Sequence, residues 1–258
     1  MRKLVILERE EEASLISLND EGSFNSLSED LLKELFSALK EADEDHSTKV
    51  LILRGVGRGF SAGHNLKEVQ GNQDESFYRN LMACSKKVMT ILPNLNKPVI
   101  AEVHGVATAA GCQLVAACDL AYADTETKFA TPGVNIGLFC HTPLVSVSRT
   151  IAKKHSMEML LLGEMVEATE AKRFGLINDV FEPEELHERV MTVAKTISSK
   201  SSYILKLGKE TFYKQLNMSL EEAYEYASER MIKNLRAEDA KEGIDAFLNK
   251  RDPKWKNS

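Results

Sequence analysis

The stretch from Val99 to Asp119, VIAEVHGVATAAGCQLVAACD, constrains the fold of this chain more than any other. Val99 to Val103 is short and mostly apolar, as a covered strand requires; Gly105 breaks the run, and small residues lead into an apolar helix ending near Asp119. A helix that starts where a strand ends presents unpaired backbone N–H groups to whatever lies in front of it. Leu4 to Ile6, Ala13 to Leu18 and Val50 to Leu53 are equally short, apolar and bounded by polar residues, so they read as further strands of a covered sheet. Between them lies a helix with Leu31, Leu32, Leu35, Phe36 and Leu39 on one face, and Ser26 and Glu29 at its start have capping-box spacing. A second helix is expected from about Glu75 to Ile91, ended by Asn94 to Pro98. The fold class is therefore α/β.

Beyond about residue 190 the pattern turns helical: ILKLGKETFYKQL, SLEEAYEYASERMIKNL and AEDAKEGIDAFLNKR carry apolar stripes that need a partner surface, on the main domain or on a neighbouring subunit. The expected organisation is a core over residues 1–190 and a helical region over 191–258. A hydrophobic fraction of 43% with 28% charged residues suits a water-soluble globular chain able to bury a substantial core. The formal net charge of -6 speaks against a nucleic-acid partner. No apolar run approaches the ~18 residues of a membrane span, and MRKLVILEREEE reads as neither secretory signal nor transit peptide, so the expected address is the cytoplasm. Cys84, Cys112, Cys118 and Cys140 are scattered, as reduced thiols would be. His46, His104, His155 and His187 show no ligand spacing, and no metal is expected.

Three segments carry more specific information: GRGFSAGHNLKEV at 57–69, HGVATAAGCQLVAACDLAYA at 104–123 and KFATPGVNIGLFCHTP at 128–143. In this order they resemble the crotonase (enoyl-CoA hydratase/isomerase) superfamily, with its S-A-G-x-D-[LI]-K, G-x-A-x-G-G-G-x-E-L-x-x-x-C-D and F-x-x-P-E-x-x-x-G patterns. EGIDAFLNKRDPKW resembles the family's C-terminal signature, so the likeness covers essentially the whole chain. It implies a crotonase-like spiral of repeated ββα units with a helical C-terminal part that forms homotrimers or dimers of trimers. It also implies an acyl-CoA thioester as substrate, with coenzyme A part of that substrate and no tightly bound cofactor.

Carried over residue by residue, the resemblance places the CoA adenine on the Ala62 carbonyl and the thioester oxygen on the N–H groups of His64 and Ala110. It assigns CoA contacts to Lys67 and, from a neighbour's C-terminal helix, to Phe247 and Lys250. The usual basic residue of the first loop is missing from GSFNSL, and Asn65 replaces an aspartate, which puts the loop's internal bonding in question. Alanine replaces glycine at 109 and 110, which tightens the space near the acyl group and leaves the donor in place. The two hydratase glutamates align with Gln113 and Gly133. Glutamine can orient a water but cannot accept its proton, and glycine has no side chain. If each acid or base contributes about 10²- to 10⁴-fold, little ordinary hydratase activity is expected. His64 and His141 are the replacement groups, each weighed against a purely structural role in its loop, and Cys140 lies beside His141. Three readings follow: an isomerase or weak hydratase using His141 or His64, a decarboxylase of malonyl-type thioesters, and a non-catalytic acyl-CoA binder. The expectation common to the first two is enolate stabilisation between two amides.

Overall fold

The computed structural model describes residues 2–258. The chain opens with β1 (Val5–Glu10), β2 (Ala13–Leu18), α1 (Glu29–Glu44), β3 (Val50–Gly55), α2 (Leu66–Gly71) and α3 (Glu75–Ile91). It continues through β4 (Val99–Val103), β5 (Val106–Thr108), α4 (Ala110–Ala117), β6 (Leu120–Asp124) and β7 (Lys128–Ala130). Then come α5 (Pro143–Thr150), α6 (Lys153–Leu162), β8 (Val166–Glu167), α7 (Ala168–Phe174), β9 (Asp179–Phe181) and α8 (Leu186–Ser198). Three helices finish it: α9 (Ser202–Gln215), α10 (Leu220–Leu235) and α11 (Glu238–Leu248).

Six strands form one sheet in the order β1-β2-β3-β4-β6-β9, parallel except for the β1–β2 pair. Three short strands, β5-β7-β8, form a second sheet. The large sheet is covered on both faces, which explains why its strands are nearly continuous apolar runs. Leu51 and Leu53 pack into the main core with α1 and α3, whereas the alternate residues Val50 and Ile52 pack with Leu186, Val190 and Ala194 of α8. Residue 190 thus lies inside a helix that belongs to the sheet, and the helical extension leaves the core only after Ser198 rather than at 190–191.

Ser28, not Ser26, caps α1, its hydroxyl accepting from the Leu31 N–H at 3.2 Å. The reason is tertiary: Leu27 N–H donates to the Gly63 carbonyl at 2.7 Å, which holds the chain extended through Leu27 and starts the helix later.

His187 at the start of α8 bridges two carboxylates, with Nδ1 2.9 Å from Glu102 of β4 and Nε2 3.2 Å from Glu10 of β1. Burial disfavours the imidazolium, but the Glu102 and Glu10 carboxylates outweigh it and raise the group above its ordinary value of 6.5. A raised folded-state value means that the contribution is fully present below 6.5 and is lost as pH rises through the higher folded value. Denaturant titrations of the wild type and His187→Gln are expected to differ most on the acid side of neutrality and to converge at alkaline pH; a constant difference would exclude the linkage.

Candidate active site at the start of helix α4

The loop before α2 is fixed by side chains that the apolar pattern does not advertise. Asn25, fully buried at φ 53°, donates from Nδ2 to the carbonyls of Val56 and Gly59 at 2.9 and 2.8 Å and accepts from Asp20 N–H at 2.8 Å. Ser61 donates to the Asn25 carbonyl at 2.9 Å, and its backbone joins β5: Ser61 N–H to Val106 O at 3.1 Å, Thr108 N–H to Ser61 O at 2.9 Å. This pairing lays residues 61–64 alongside the turn that starts α4.

Gly63 is the point of closest approach. Its φ of +88° favours glycine, and a Cβ there would sit 2.8 Å from the Ala109 methyl and 3.1 Å from the Ala110 nitrogen. The Gly63 carbonyl is taken by Leu27 N–H. Because the following peptide is trans, the His64 N–H points the opposite way, away from Leu27, and has no hydrogen-bond partner among the described residues. The Ala109 carbonyl accepts from Gln113 N–H at 3.1 Å along α4, so the Ala110 N–H projects out of the helix N-terminus, also without a partner among the described residues. Two free amide donors therefore flank one seam, and the helix dipole adds positive potential there.

Around this seam three buried polar atoms also lack partners among the described residues: His64 Nε2, Gln113 Oε1 and Thr131 Oγ1. Gln113 is 4% exposed and Thr131 is fully buried. Thr131 follows Ala130, whose carbonyl accepts from Ala109 N–H at 2.8 Å, so it borders the same turn. Native folds rarely leave buried polar atoms unpaired, so each of these three is open to a water or a ligand group.

His64 Nδ1 lies 3.3 Å from the Leu27 carbonyl. A carbonyl only accepts, so Nδ1 carries the proton and Nε2 keeps its lone pair. Burial pushes the imidazole below its ordinary value, and the Leu27 bond only partly offsets this, which favours the neutral ring. His141 is placed differently: it is exposed, with Nδ1 donating to the Phe139 carbonyl at 3.0 Å as a turn residue would. Gly133 is buried, and a Cβ there would meet Leu138 O at 3.0 Å and Cys140 Sγ at 3.1 Å. Cys140 thus occupies the room beside the position that aligns with the second family glutamate. Its thiol is raised by burial, against the opposing Gly133 N–H, and the wholly buried Cys112 thiol is pushed up to about 12. Both stay protonated and are poor nucleophiles.

In the loop before α2, Ala62 is exposed; its carbonyl accepts from Thr108 Oγ1 at 3.1 Å and keeps a second lone pair. Asn65 restores the bonding that the missing aspartate put in question: its Oδ1 caps α2 by accepting from Lys67 and Glu68 N–H at 3.1 and 3.2 Å. Lys67 is exposed beside it. The absent first-loop basic residue has a neighbour that sequence reading missed: the Arg58 guanidinium lies over the Phe24 ring, 4.3 Å from its centroid, and Ala62 N–H bonds Phe24 O. An arginine four residues before Ala62 was the available signal. Phe247 and Lys250 are exposed on and just after α11, which packs principally on α10; within one chain they do not join the Ala62 loop. No cluster of side chains suited to a metal ion occurs among the described residues.

With this geometry in hand, comparison with known proteins fixes the class. The family model described as enoyl-CoA hydratase/isomerase matches residues 8–258, and the chain belongs to that family. Among curated relatives, the mitochondrial enoyl-CoA hydratase domain-containing protein 3 of Rattus norvegicus is 46% identical over 231 residues, covering 90% of this chain and 77% of the relative. The Homo sapiens counterpart is 44% identical over 240 residues, covering 93% and 79%. A crystal structure of an enoyl-CoA hydratase from Mycobacterium smegmatis superposes with a TM-score of 0.96 at 41% identity, covering 98% of this chain and 99% of the other. The human enoyl-CoA hydratase domain-containing protein 3 structure gives 0.95 at 42% identity, covering 98% and 100%. The crotonase fold and helical C-terminal part expected from the motifs are thereby established. The cytoplasmic address is corrected: several of these relatives are named mitochondrial, and an unremarkable amino terminus was too weak a signal to assign a compartment.

Proposed function

We propose that this chain binds an acyl-CoA thioester and holds the thioester oxygen between the N–H groups of His64 and Ala110, stabilising the enolate. The observation that carries this reading is the pair of unpartnered main-chain donors on either side of the Gly63–Ala109 contact. Preorganised donors aimed at developing charge are worth far more in a water-poor site than in bulk solvent. Ala62 O, Arg58 and Lys67 would meet the CoA portion from this chain. Phe247 and Lys250 would come from a second copy, since α10 and α11 expose Leu220, Tyr224, Phe247 and Leu248 at 70 to 83%. A homotrimer, or a dimer of trimers, would cover those side chains.

Hydration by two carboxylates is not part of the proposal, because neither Gln113 nor Gly133 can take a proton from water. Chemistry that needs only an electron sink remains. In a malonyl-type thioester the C–C bond to the carboxylate breaks, its electron pair enters the enolate, carbon dioxide leaves, and the α-carbon is then protonated from water. A second reading, one-base isomerisation, is favoured by one feature: the neutral, buried His64 Nε2 lone pair. The exposed His141 offers less to it.

The test incubates the protein separately with 2-enoyl-CoA, 3-enoyl-CoA and malonyl-CoA and follows products by mass spectrometry, with calorimetric binding of each. Decarboxylation of the third is the expected result. Isomerisation abolished by His64→Gln would move the assignment to the second reading. Binding without turnover would leave an acyl-CoA binder, and rapid hydration of the first would contradict the argument from positions 113 and 133.

A further inference from the structure

We infer that the methyl group of Ala109 sets acyl specificity, admitting thioesters with an unbranched α-carbon and excluding α-branched ones. The inference rests on the proposed acyl-CoA reading and adds a residue to it.

Ala109 has φ 49° and ψ -117°, a backbone conformation outside the left-handed helical well and one that L-residues rarely adopt. Such conformations persist where surrounding structure enforces them, and they concentrate at functional sites. The enforcement is visible. Ala109 N–H is bound to Ala130 O at 2.8 Å, Ala109 O receives Gln113 N–H at 3.1 Å, and β5 pairs with β7 immediately before it. Glycine would meet these constraints without strain, so what alanine adds at this position is a methyl group.

The placement of that methyl gives it a consequence. Ala109 is covalently joined to Ala110, so its Cβ lies about 3 Å from the Ala110 nitrogen by ordinary peptide geometry. It also lies 2.8 Å from where a Cβ on Gly63 would be, on the residue before the His64 donor. The methyl therefore lies against Gly63 at the edge of the seam that the two amides flank, and Ala109 remains partly accessible rather than sealed in the core. A thioester oxygen seated on both donors brings its carbonyl carbon and α-carbon alongside this methyl. An added α-methyl on the substrate competes with Ala109 for the same volume. Ala110 is fully buried and Gly63 has no side chain, so Ala109 is the residue that varies the width of the seam.

The test compares calorimetric affinities of the folded full-length protein for butanoyl-CoA and 2-methylpropanoyl-CoA, in the wild type and in Ala109→Gly. One methyl group accommodated or refused by a pocket changes affinity by roughly 10- to 200-fold, so Ala109→Gly is expected to shift the branched-to-unbranched ratio by at least about tenfold. The thermal midpoint is expected to rise as the strained alanine is removed, which also shows that the variant folds. A ratio unchanged in a stabilised variant would overturn the inference while leaving the thioester reading intact. Failure of the wild type to bind butanoyl-CoA at all would instead remove the reading on which it rests.

Discussion

Gly111→Ala is expected to reduce thioester turnover by about 10²- to 10³-fold, the loss seen when an oxyanion donor is withdrawn. The added Cβ would lie 2.2 Å from the Ser61 carbonyl oxygen and 2.9 Å from its carbonyl carbon. Neither is the free end of a flexible side chain. Both belong to a backbone segment that is hydrogen-bonded to Val106 and Thr108 on one side and tied by the Ser61 hydroxyl to Asn25 on the other. Relief requires α4 and the 61–64 loop to separate, which moves the Ala110 N–H away from the His64 N–H. Overpacking of this kind also costs about 1–3 kcal/mol of stability, so activity should be compared at a temperature where the variant is folded. Gly208→Ala is the matched control: it lies in α9 with nothing within 4 Å of its added Cβ, and replacing a mid-helix glycine should be neutral or stabilising by up to about 1 kcal/mol. Wild-type turnover in folded Gly111→Ala would separate the two amides from the chemistry.

The same loop marks the limit of what the sequence disclosed. The helix from Glu75 to Ile91 and the strands from Ala13 to Leu18 and Val99 to Val103 were legible because apolar periodicity and their polar or proline borders act locally. The second sheet was not, since β5, β7 and β8 are two or three residues long and gain their pairing from distant partners. Ser26 has the spacing of a cap, yet the Leu27–Gly63 bond, formed across 36 residues of chain, delays the helix to Ser28. Positions 64 and 110 were reachable through a family resemblance, because backbone donors leave no mark of their own in a sequence. The roles of Asn25 and Arg58 depend on which loops meet in space, and a local pattern does not encode that. Which of His64 and His141 is the more enclosed was equally beyond it: both sit in loops, one just after Gly63 and the other four residues after Gly137, and only the fold puts one ring under Leu27 and leaves the other on a turn.

Lys209→Met is expected to be the most destabilising of the polar substitutions considered, because it breaks a buried charge cluster that fastens α9 to the sheet. Lys209 Nζ is 2.6 Å from Asp119 Oδ2 and 2.9 Å from the Lys97 carbonyl, with the two charged side chains only 6% and 17% exposed. Asp119 Oδ2 also accepts from Val99 N–H at 2.7 Å, and Oδ1 accepts from the Tyr213 hydroxyl at 2.8 Å. Burial and the neighbouring Asp119 charge hold the Tyr213 phenol well above its ordinary value, so it remains a donor over the working pH range. Removing the lysine strands a buried carboxylate, which costs about 3–5 kcal/mol. For a chain of this size each kcal/mol lowers the thermal midpoint by roughly 2–4 °C, so a fall of about 6–20 °C is expected. The double replacement Asp119→Leu with Lys209→Met removes both charges and should recover much of the loss, since it is the unpaired ion rather than the missing bridge that is expensive. Tyr213→Phe should cost about 1–2 kcal/mol. The consequence reaches the helical part of the chain: α9 packs on α10, whose exposed apolar face is the one proposed above to meet another copy. Loosening α9 should therefore weaken self-association as well as lower the midpoint, and sedimentation of Lys209→Met below its transition would detect it. If the single variant melts like the wild type, Asp119 is reached by water, and α9 is held to the core by apolar packing alone.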